Sequence, residues 1–309
     1  MRHGFFDGWY FKQENTAHTL CVIVARHRAR GGALGGSVQV FASGRPQATP
    51  AAINCSLPTA HCSLSAERGS ATFFFPAEAM RWAHPKRGVI CMGENRFSAE
   101  GLRLDLRDDG QEIAGDLRFS SPALPAYDIM GPFACVPFLE CRHRVLTLCH
   151  RADGQILWNG QAYNFDQSPA YAEGDCGSSF PRRYLWTHAA GRNWSLMLSV
   201  ADVPTLFGTF RGVAGFVYLN GKELRVATYC GARAEALSCG GAAIRQGQWR
   251  LAVTAAEPAN ARTLLAPARG CMTRLVRESP RLPVRVLLTR GDDILIDEVC
   301  ESASFESGD

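Results

Sequence analysis

Leu102-Arg103-Leu104-Asp105-Leu106-Arg107-Asp108-Asp109-Gly110-Gln111-Glu112-Ile113-Ala114-Gly115-Asp116-Leu117-Arg118-Phe119 reads as a β-hairpin. Apolar and polar residues alternate strictly over Leu102–Leu106, so one strand face meets a core and the other meets water. Asp109-Gly110 supplies the turn before a second strand at Glu112–Phe119. The same punctuation recurs outward along the chain. Leu20–Ala25, Ser37–Phe41 and Ala71–Phe75 are short, rich in β-branched or aromatic residues, and bounded by turn formers. Asp153-Gly154 and Asn220-Gly221 read as further hairpin turns. Pro76–Trp82 is the best candidate for a short helix. Gly31–Gly36 and Pro46–Pro58 read as loops. The fold class is all-β.

An internal repeat sets the domain expectation. Leu146–Leu157 resembles Val286–Leu295, both reading as apolar strand, charged turn, apolar strand. Gly8-Trp9-Tyr10-Phe11 precedes the apolar run Cys21–Val24 by a gap like that between Trp186 and Leu196–Val200. Met130-Gly131 ahead of Glu140 echoes Gly270-Cys271-Met272 ahead of Glu278. The matches keep one order, which predicts a duplicated β unit at residues 1–168 and 169–309. Each half is the size of an up-and-down barrel or two-sheet sandwich, with a tryptophan near its first strand as a plug. A barrel of about eight strands leaves room for one small apolar ligand in its interior.

Composition narrows the classes. Of 309 residues, 46% are hydrophobic, enough for a substantial core. No run approaches the roughly 18 apolar residues of a membrane-spanning helix, and the first residues lack a signal peptide's apolar stretch. A cytoplasmic protein is the expectation. The net charge of +4 is mild and scattered. It forms no nucleic-acid stripe and no polybasic anchor. The twelve cysteines contain no Cys-x-x-Cys pair. They read as reduced thiols, several of them small buried hydrophobes, with no metal expected. A serine–histidine–acid order, a phosphate-binding loop and a nucleotide fingerprint are all missing, and no cofactor is expected.

Tyr171–Trp186 concentrates the chemistry. Glu173 and Asp175 sit in a glycine-punctuated stretch read as a turn, and Phe180, Tyr184 and Trp186 follow at once. Carboxyls beside large apolar rings hold their protons toward neutral pH. In an extended chain the two acids, two positions apart, share a face.

Several blocks resemble the tocopherol cyclase family: Gly8-Trp9-Tyr10-Phe11-Lys12, Asn95-Arg96-Phe97-Ser98, Ile129-Met130-Gly131-Pro132-Phe133 and Val136-Pro137-Phe138-Leu139-Glu140-Cys141. So do Asp175-Cys176-Gly177-Ser178-Ser179-Phe180-Pro181, Tyr218-Leu219-Asn220-Gly221-Lys222 and Ala227-Thr228-Tyr229. The resemblance implies paired lipocalin-like β domains and closure of a prenylated hydroquinone to a chromanol. Members usually read Glu-Lys-Asp-Trp-Gly where this chain has Glu173-Gly174-Asp175-Cys176-Gly177; the acids are kept and the lysine and tryptophan are not. Around the histidine they usually carry a tyrosine and a glycine, against Arg142 and Arg144 here.

That chemistry requires a proton delivered to a trisubstituted alkene and a phenol oxygen to capture the resulting cation. Asp175 is the first choice as acid, with Glu173 raising its pKa as a neighbouring like charge. Glu140 tunes the acid or binds the phenol, or else pairs with Arg142 or Arg144 at a rim. His143, in phase with Cys141 and Val145, faces inward and accepts the phenolic proton or hydrogen-bonds the ring oxygen. His150 reads as a turn residue. Trp9, Tyr10, Phe138, Tyr184 and Trp186 are the expected pocket wall, where aromatic faces steady a cation and keep water away. Two other readings stay open: a hydratase, in which water captures the cation, and a carrier of apolar small molecules. The expected partner is an apolar prenylated small molecule, collected by transient contact with a membrane surface, and no nucleic acid.

Overall fold

The computed structural model describes residues 4–44, 69–108, 110–136, 139–205, 208–256 and 262–308. Strands dominate it. The first sheet contains β1 (Phe5–Glu14), β2 (His18–Arg28), β3 (Gly35–Gly44), β4 (Ser70–Pro76), β5 (Met80–Arg81) and β6 (Ile90–Met92). It continues with β7 (Asn95–Ser98), β8 (Gly101–Asp108), β9 (Gln111–Ala123), β10 (Cys141–Trp158) and β11 (Gln161–Gly177). The second contains β12 (Tyr184–Ala190), β13 (Trp194–Thr205), β14 (Gly208–Leu219), β15 (Lys222–Ala227) and β16 (Arg233–Ser238). It continues with β17 (Gly241–Gln246), β18 (Trp249–Ala255), β19 (Arg262–Ala268), β20 (Cys271–Arg290) and β21 (Asp293–Gly308).

The two sheets repeat one plan. In the first, β1 pairs antiparallel with both β2 and the last strand, β11. In the second, β12 pairs antiparallel with both β13 and the last strand, β21. Each sheet curls until its ends approach, at β3 and β6 in one and at β14 and β16 in the other. The result is two nearly closed, lipocalin-like barrels in tandem, and curling leaves little edge unpaired. Residue 168 lies within β11; the change from one sheet to the other falls between Gly177 and Tyr184.

Each barrel interior is filled with side chains. Trp9, Phe11, Val22, Val40, Leu104 and Ile156 belong to the core of the first; Leu185, Leu196, Leu198, Val284, Val286 and Phe305 belong to that of the second. Fully burying such a side chain contributes about 1.5–3 kcal/mol. A third apolar cluster lies between the barrels and includes Tyr10, Phe41, Tyr171, Tyr184, Trp186 and Met197. Strand alternation explains it. On β1, Trp9 and Phe11 point into the first barrel and Tyr10 points out of it. On β12, Leu185 enters the second barrel and Tyr184 and Trp186 leave it. The opening strands are therefore buried on both faces, as are residues 170–173 and 303–306 of the closing strands. Trp9 plugs its barrel as expected, whereas Trp186 faces the neighbouring barrel.

Several local expectations change. Pro76–Trp82 forms no α-helix; a 3-10 turn at Ala77–Ala79 leads into β5. Asp153-Gly154 is not a hairpin turn but lies inside β10, at a register shift against β11. There Gly154 has φ +133°, and a Cβ would stand 2.2 Å from the Asp116 carbonyl oxygen. That glycine serves close strand contact, not a turn. The matching hairpin turn in the second half, between Arg290 and Asp293, does exist. Asn220-Gly221 connects β14 to β15 as read. Gly35 and Gly36 belong to β3, and Pro46–Pro58 lies outside the described residues. Cys21, Cys91 and Cys300 are buried free thiols, while Cys149 is half-buried and Cys230 exposed.

Candidate active site

A cavity of about 1000 Å³ opens between the barrels, walled mainly by apolar side chains. Phe6, Ile23, Phe180, Phe210, Leu264 and Met272 are among them. Five acids also reach it: Glu140, Glu173, Asp175, Glu278 and Glu306.

Glu173 and Asp175 lie not in a turn but in β11, so their side chains share the face that leaves the first barrel. Gly174 between them points the other way. A Cβ there would meet the Gly8 carbonyl oxygen at 2.5 Å and the Trp9 ring at 2.8 Å. The Glu-Gly-Asp pattern thus lets β1 and Trp9 pack tightly while two acids face the cavity.

The next strand places His143 opposite Asp175. His143 Nδ1 is 3.0 Å from Asp175 Oδ1, and Nε2 is 3.0 Å from Glu173 Oε2. The Nε2 contact is poorly aligned for a hydrogen bond, so charge attraction carries it. Glu173 Oε2 also accepts from the Tyr171 hydroxyl at 2.6 Å and the Trp186 indole nitrogen at 3.1 Å. Cys141 Sγ donates to Asp175 Oδ1 at 3.4 Å. Burial pushes the His143 imidazole toward its neutral form. The charges of Glu173 and Asp175 outweigh burial and hold its pKa well above the ordinary histidine value. His143 is therefore an imidazolium between two acids.

The second barrel presents a different pair. Glu278 on β20 and Glu306 on β21 are cross-strand partners. The Tyr10 hydroxyl donates to Glu278 Oε1 at 3.1 Å, and the Tyr184 hydroxyl donates to Glu306 Oε1. Burial pushes the Glu278 pKa up to about 8 against the Tyr10 hydrogen bond, with help from the charge of Glu173. Burial likewise pushes Glu306 to about 8, aided by Asp175 and Glu173. Both carry a proton at neutral pH. In the sequence Glu278 stands out only as the echo of Glu140, and nothing marks Glu306.

The structure thus joins Asp175, Glu173, His143, Tyr10, Tyr184 and Trp186 around one cavity, with Trp9 on its lining. Glu140 stands apart, exposed at the rim. No ion pair to Arg142 or Arg144 forms: Arg142 donates to the Val136 carbonyl, and Arg144 pairs with Asp7 while covering the Trp9 ring at 4.2 Å. Phe138 lies outside the described residues. His150 is not a turn residue; it is buried in β10 with Nδ1 2.8 Å from Thr147 Oγ1, and burial pushes its pKa down to about 3.

His143, Glu173 and Asp175 are also a possible metal set, with one ligand atom from each inside 4.8 Å. Both ring nitrogens of His143 already face carboxylates, so a cation would have to displace the imidazolium proton. The donor set fits a divalent ion only in competition with that proton.

Comparison with known proteins bears on the family and the fold. The sequence profile of the tocopherol cyclase-like family matches residues 112–215, the span that contains His143, Tyr171, Glu173, Asp175 and Trp186. A chloroplastic tocopherol cyclase of Zea mays is 32% identical over 56 residues, 18% of this chain and 12% of that protein. A probable chloroplastic tocopherol cyclase of Oryza sativa subsp. japonica matches to the same extent. The match thus spans about an eighth of these relatives' length. In fold, the crystal structure of CghA with Sch210972 aligns over 99% of this chain and 88% of that one, at TM-score 0.58 and 10% identity. An AttH candidate from Nitrosomonas europaea aligns over 98% and 92%, at TM-score 0.54 and 9% identity. The chain therefore resembles the tocopherol cyclase-like family through its central third and carries a lipocalin-like double-barrel fold along its whole described length.

Proposed function

We propose that the protein is an acid-triggered cyclase acting on an apolar prenylated hydroquinone. The observation that carries the proposal is His143 held 3.0 Å from each of two acids in the wall of an apolar cavity. In the reaction, the His143 Nδ1 proton passes to Asp175, and the Asp175 carboxyl delivers a proton to the alkene. The π pair forms the new C–H bond, which leaves a tertiary cation on the adjacent carbon. The phenol oxygen then supplies the electron pair of the C–O bond, and its proton returns to the Asp175–His143 pair. No electrons are gained or lost overall.

Charge explains why this array suits the task. Two acids flank one imidazole, and proton delivery leaves further negative charge on the array as the cation appears beside it. The Tyr10 and Trp186 rings, 5.5 Å apart in an edge-to-face pair, border the same space. Aromatic faces steady a cation by about 0.5–2 kcal/mol each and exclude the water that would trap it. One observation favours a hydratase instead: the Asp175 side chain is 23% exposed, which leaves a route for water.

Incubation of the purified protein with prenylated hydroquinones in D₂O tests the proposal. A cyclase gives product isomeric with substrate apart from one carbon-bound deuterium; a hydratase adds the elements of water. Asp175→Asn and His143→Gln abolish either activity. Binding without conversion of any such compound leaves the carrier reading standing.

A further inference from the structure

Glu278 and Glu306 take no part in the proton transfer above, and both lie outside the span matched by the family profile. Their surroundings are nevertheless built in detail. They are cross-strand partners on one sheet face, so their Cβ atoms stand about 5 Å apart. Each is engaged through Oε1 by a tyrosine hydroxyl, Tyr10 or Tyr184. Among the described residues, no hydrogen bond reaches Oε2 of either. Both side chains line the apolar cavity.

A neutral carboxyl that accepts at one oxygen has an O–H left to donate at the other. Two such donors, side by side in an apolar wall with no protein acceptor, call for an acceptor from the ligand. We propose that Glu278 and Glu306 form a two-donor site for the carbonyl oxygen of a ketone or quinone on an apolar ligand. A carbonyl oxygen has two lone pairs and can take both donors. An anionic group is disfavoured because Glu173 and Asp175 face the same cavity. A cation finds no free negative charge in two neutral carboxyls.

The site belongs to the second barrel, whereas the His143 array belongs to the first. A ligand that engages both bridges the barrels. Recognition at Glu278 and Glu306 does not depend on turnover, so this inference stands apart from the proposed reaction. Other ionisable groups around the pair are Tyr10 and Lys12 of β1, Cys21 of β2, His143 of β10, Glu173 and Asp175 of β11, Tyr184 of β12 and Arg274 of β20. Lys12 is already paired with Glu14 at 2.7 Å.

Equilibrium binding of geranylacetone and of its hydrocarbon analogue lacking the oxygen tests the site. At about pH 6.5 the ketone binds roughly tenfold tighter than the hydrocarbon. At about pH 9.5, with the carboxyls ionised, that preference drops below roughly twofold while the hydrocarbon binds as before. In the Glu278→Gln/Glu306→Gln double variant, amide N–H groups donate at every pH, and the preference persists at the higher pH. Equal affinity for the two compounds at the lower pH overturns the inference. So does a preference in the unaltered protein that ignores pH, or a double variant that loses it with pH as the unaltered protein does. Hydrocarbon binding reports whether the variant's cavity is intact, and the unaltered protein alone decides the question if the variant does not fold. Asp175→Asn keeps the ketone preference, which separates failure of this site from failure of the acid chemistry.

Discussion

Glu173 and Glu306 occupy equivalent places in the two barrels and meet different partners across the adjacent strand. Each lies on the closing strand, opposite an aromatic residue of the opening strand: Tyr10 for Glu173, Trp186 for Glu306. A tyrosine hydroxyl donates to each, from Tyr171 or Tyr184. The difference comes from the adjacent strand. β10 sends in His143, which pairs with Glu173, whereas β20 places Glu278 directly across from Glu306. The two barrels share one geometry, and the adjacent strand decides what each glutamate meets. The cavity thereby gains a charged wall and a neutral wall.

Removing the imidazolium should expose that dependence. His143→Ala leaves Glu173 and Asp175 side by side without their cation, and breaking a buried pair in this way costs about 3–5 kcal/mol. Denaturant unfolding at neutral pH should report a loss of that order. The deficit should shrink as pH falls and the stranded carboxylates take up protons. A deficit that stays constant down to acidic pH would show that lost packing, not unpaired charge, causes it.

Stability should also fall as pH rises from about 4.5 to 8. The Glu278 and Glu306 carboxyls titrate from 4.5 in the open chain to about 8 in the fold. Between those values the folded protein keeps two protons that the unfolded chain has released. Each contributes a slope of about −1.4 kcal/mol per pH unit. His143, also raised, adds the same sign above its ordinary value of 6.5. Urea titrations across this window check the slope, and Glu306→Gln should remove one carboxyl's share of it.

Period-two alternation made the strands and the shared face of Glu173 and Asp175 legible in the sequence. It could not say what that face packs against. A residue's parity names its side of a strand, and only the neighbouring barrel turns the outer side into a cavity wall. A signal was present in β1, where Lys12, Gln13 and Glu14 continue a strand buried on both faces. Polar residues in such a strand mark a second packed surface. Glu278 reads only as the echo of Glu140, and Glu306 is one acid among several in β21, with Asp293, Asp297, Glu298 and Glu301, so neither carries a local motif that singles it out. Gly154 misled for a different reason: Asp-Gly resembles a turn signal, but here the glycine is required by the close approach of β9.

Gly174→Ala should be damaging well beyond one methyl group. The new Cβ would collide with the Gly8 carbonyl and the Trp9 ring, both parts of the closing contact between β1 and β11. Overpacking of this kind costs about 1–3 kcal/mol. The strain also falls between Glu173 and Asp175, so it should shift their separation and lower turnover more than stability alone predicts. Comparing thermal unfolding with activity at a temperature where the variant remains folded separates the two effects. Unchanged stability would mean that β1 yields easily at this point.

Zinc should inhibit the proposed reaction and should do so more strongly as pH rises. Its ligand atoms would be the carboxylate oxygens of Glu173 and Asp175 and a nitrogen of His143, all within 4.8 Å of one another. Metal binding requires the imidazole to release a proton, and Glu173 and Asp175 make that proton hard to remove. Zinc and the proton therefore compete for one site, and raising the pH favours zinc. A metal held there would replace the proton that the alkene must receive. Turnover in a chelator should equal that of untreated protein, and added zinc should lower it with an apparent affinity that tightens as pH rises. Loss of turnover on chelation, restored by a divalent ion, would assign the three residues to a metal and remove the imidazolium from the reaction.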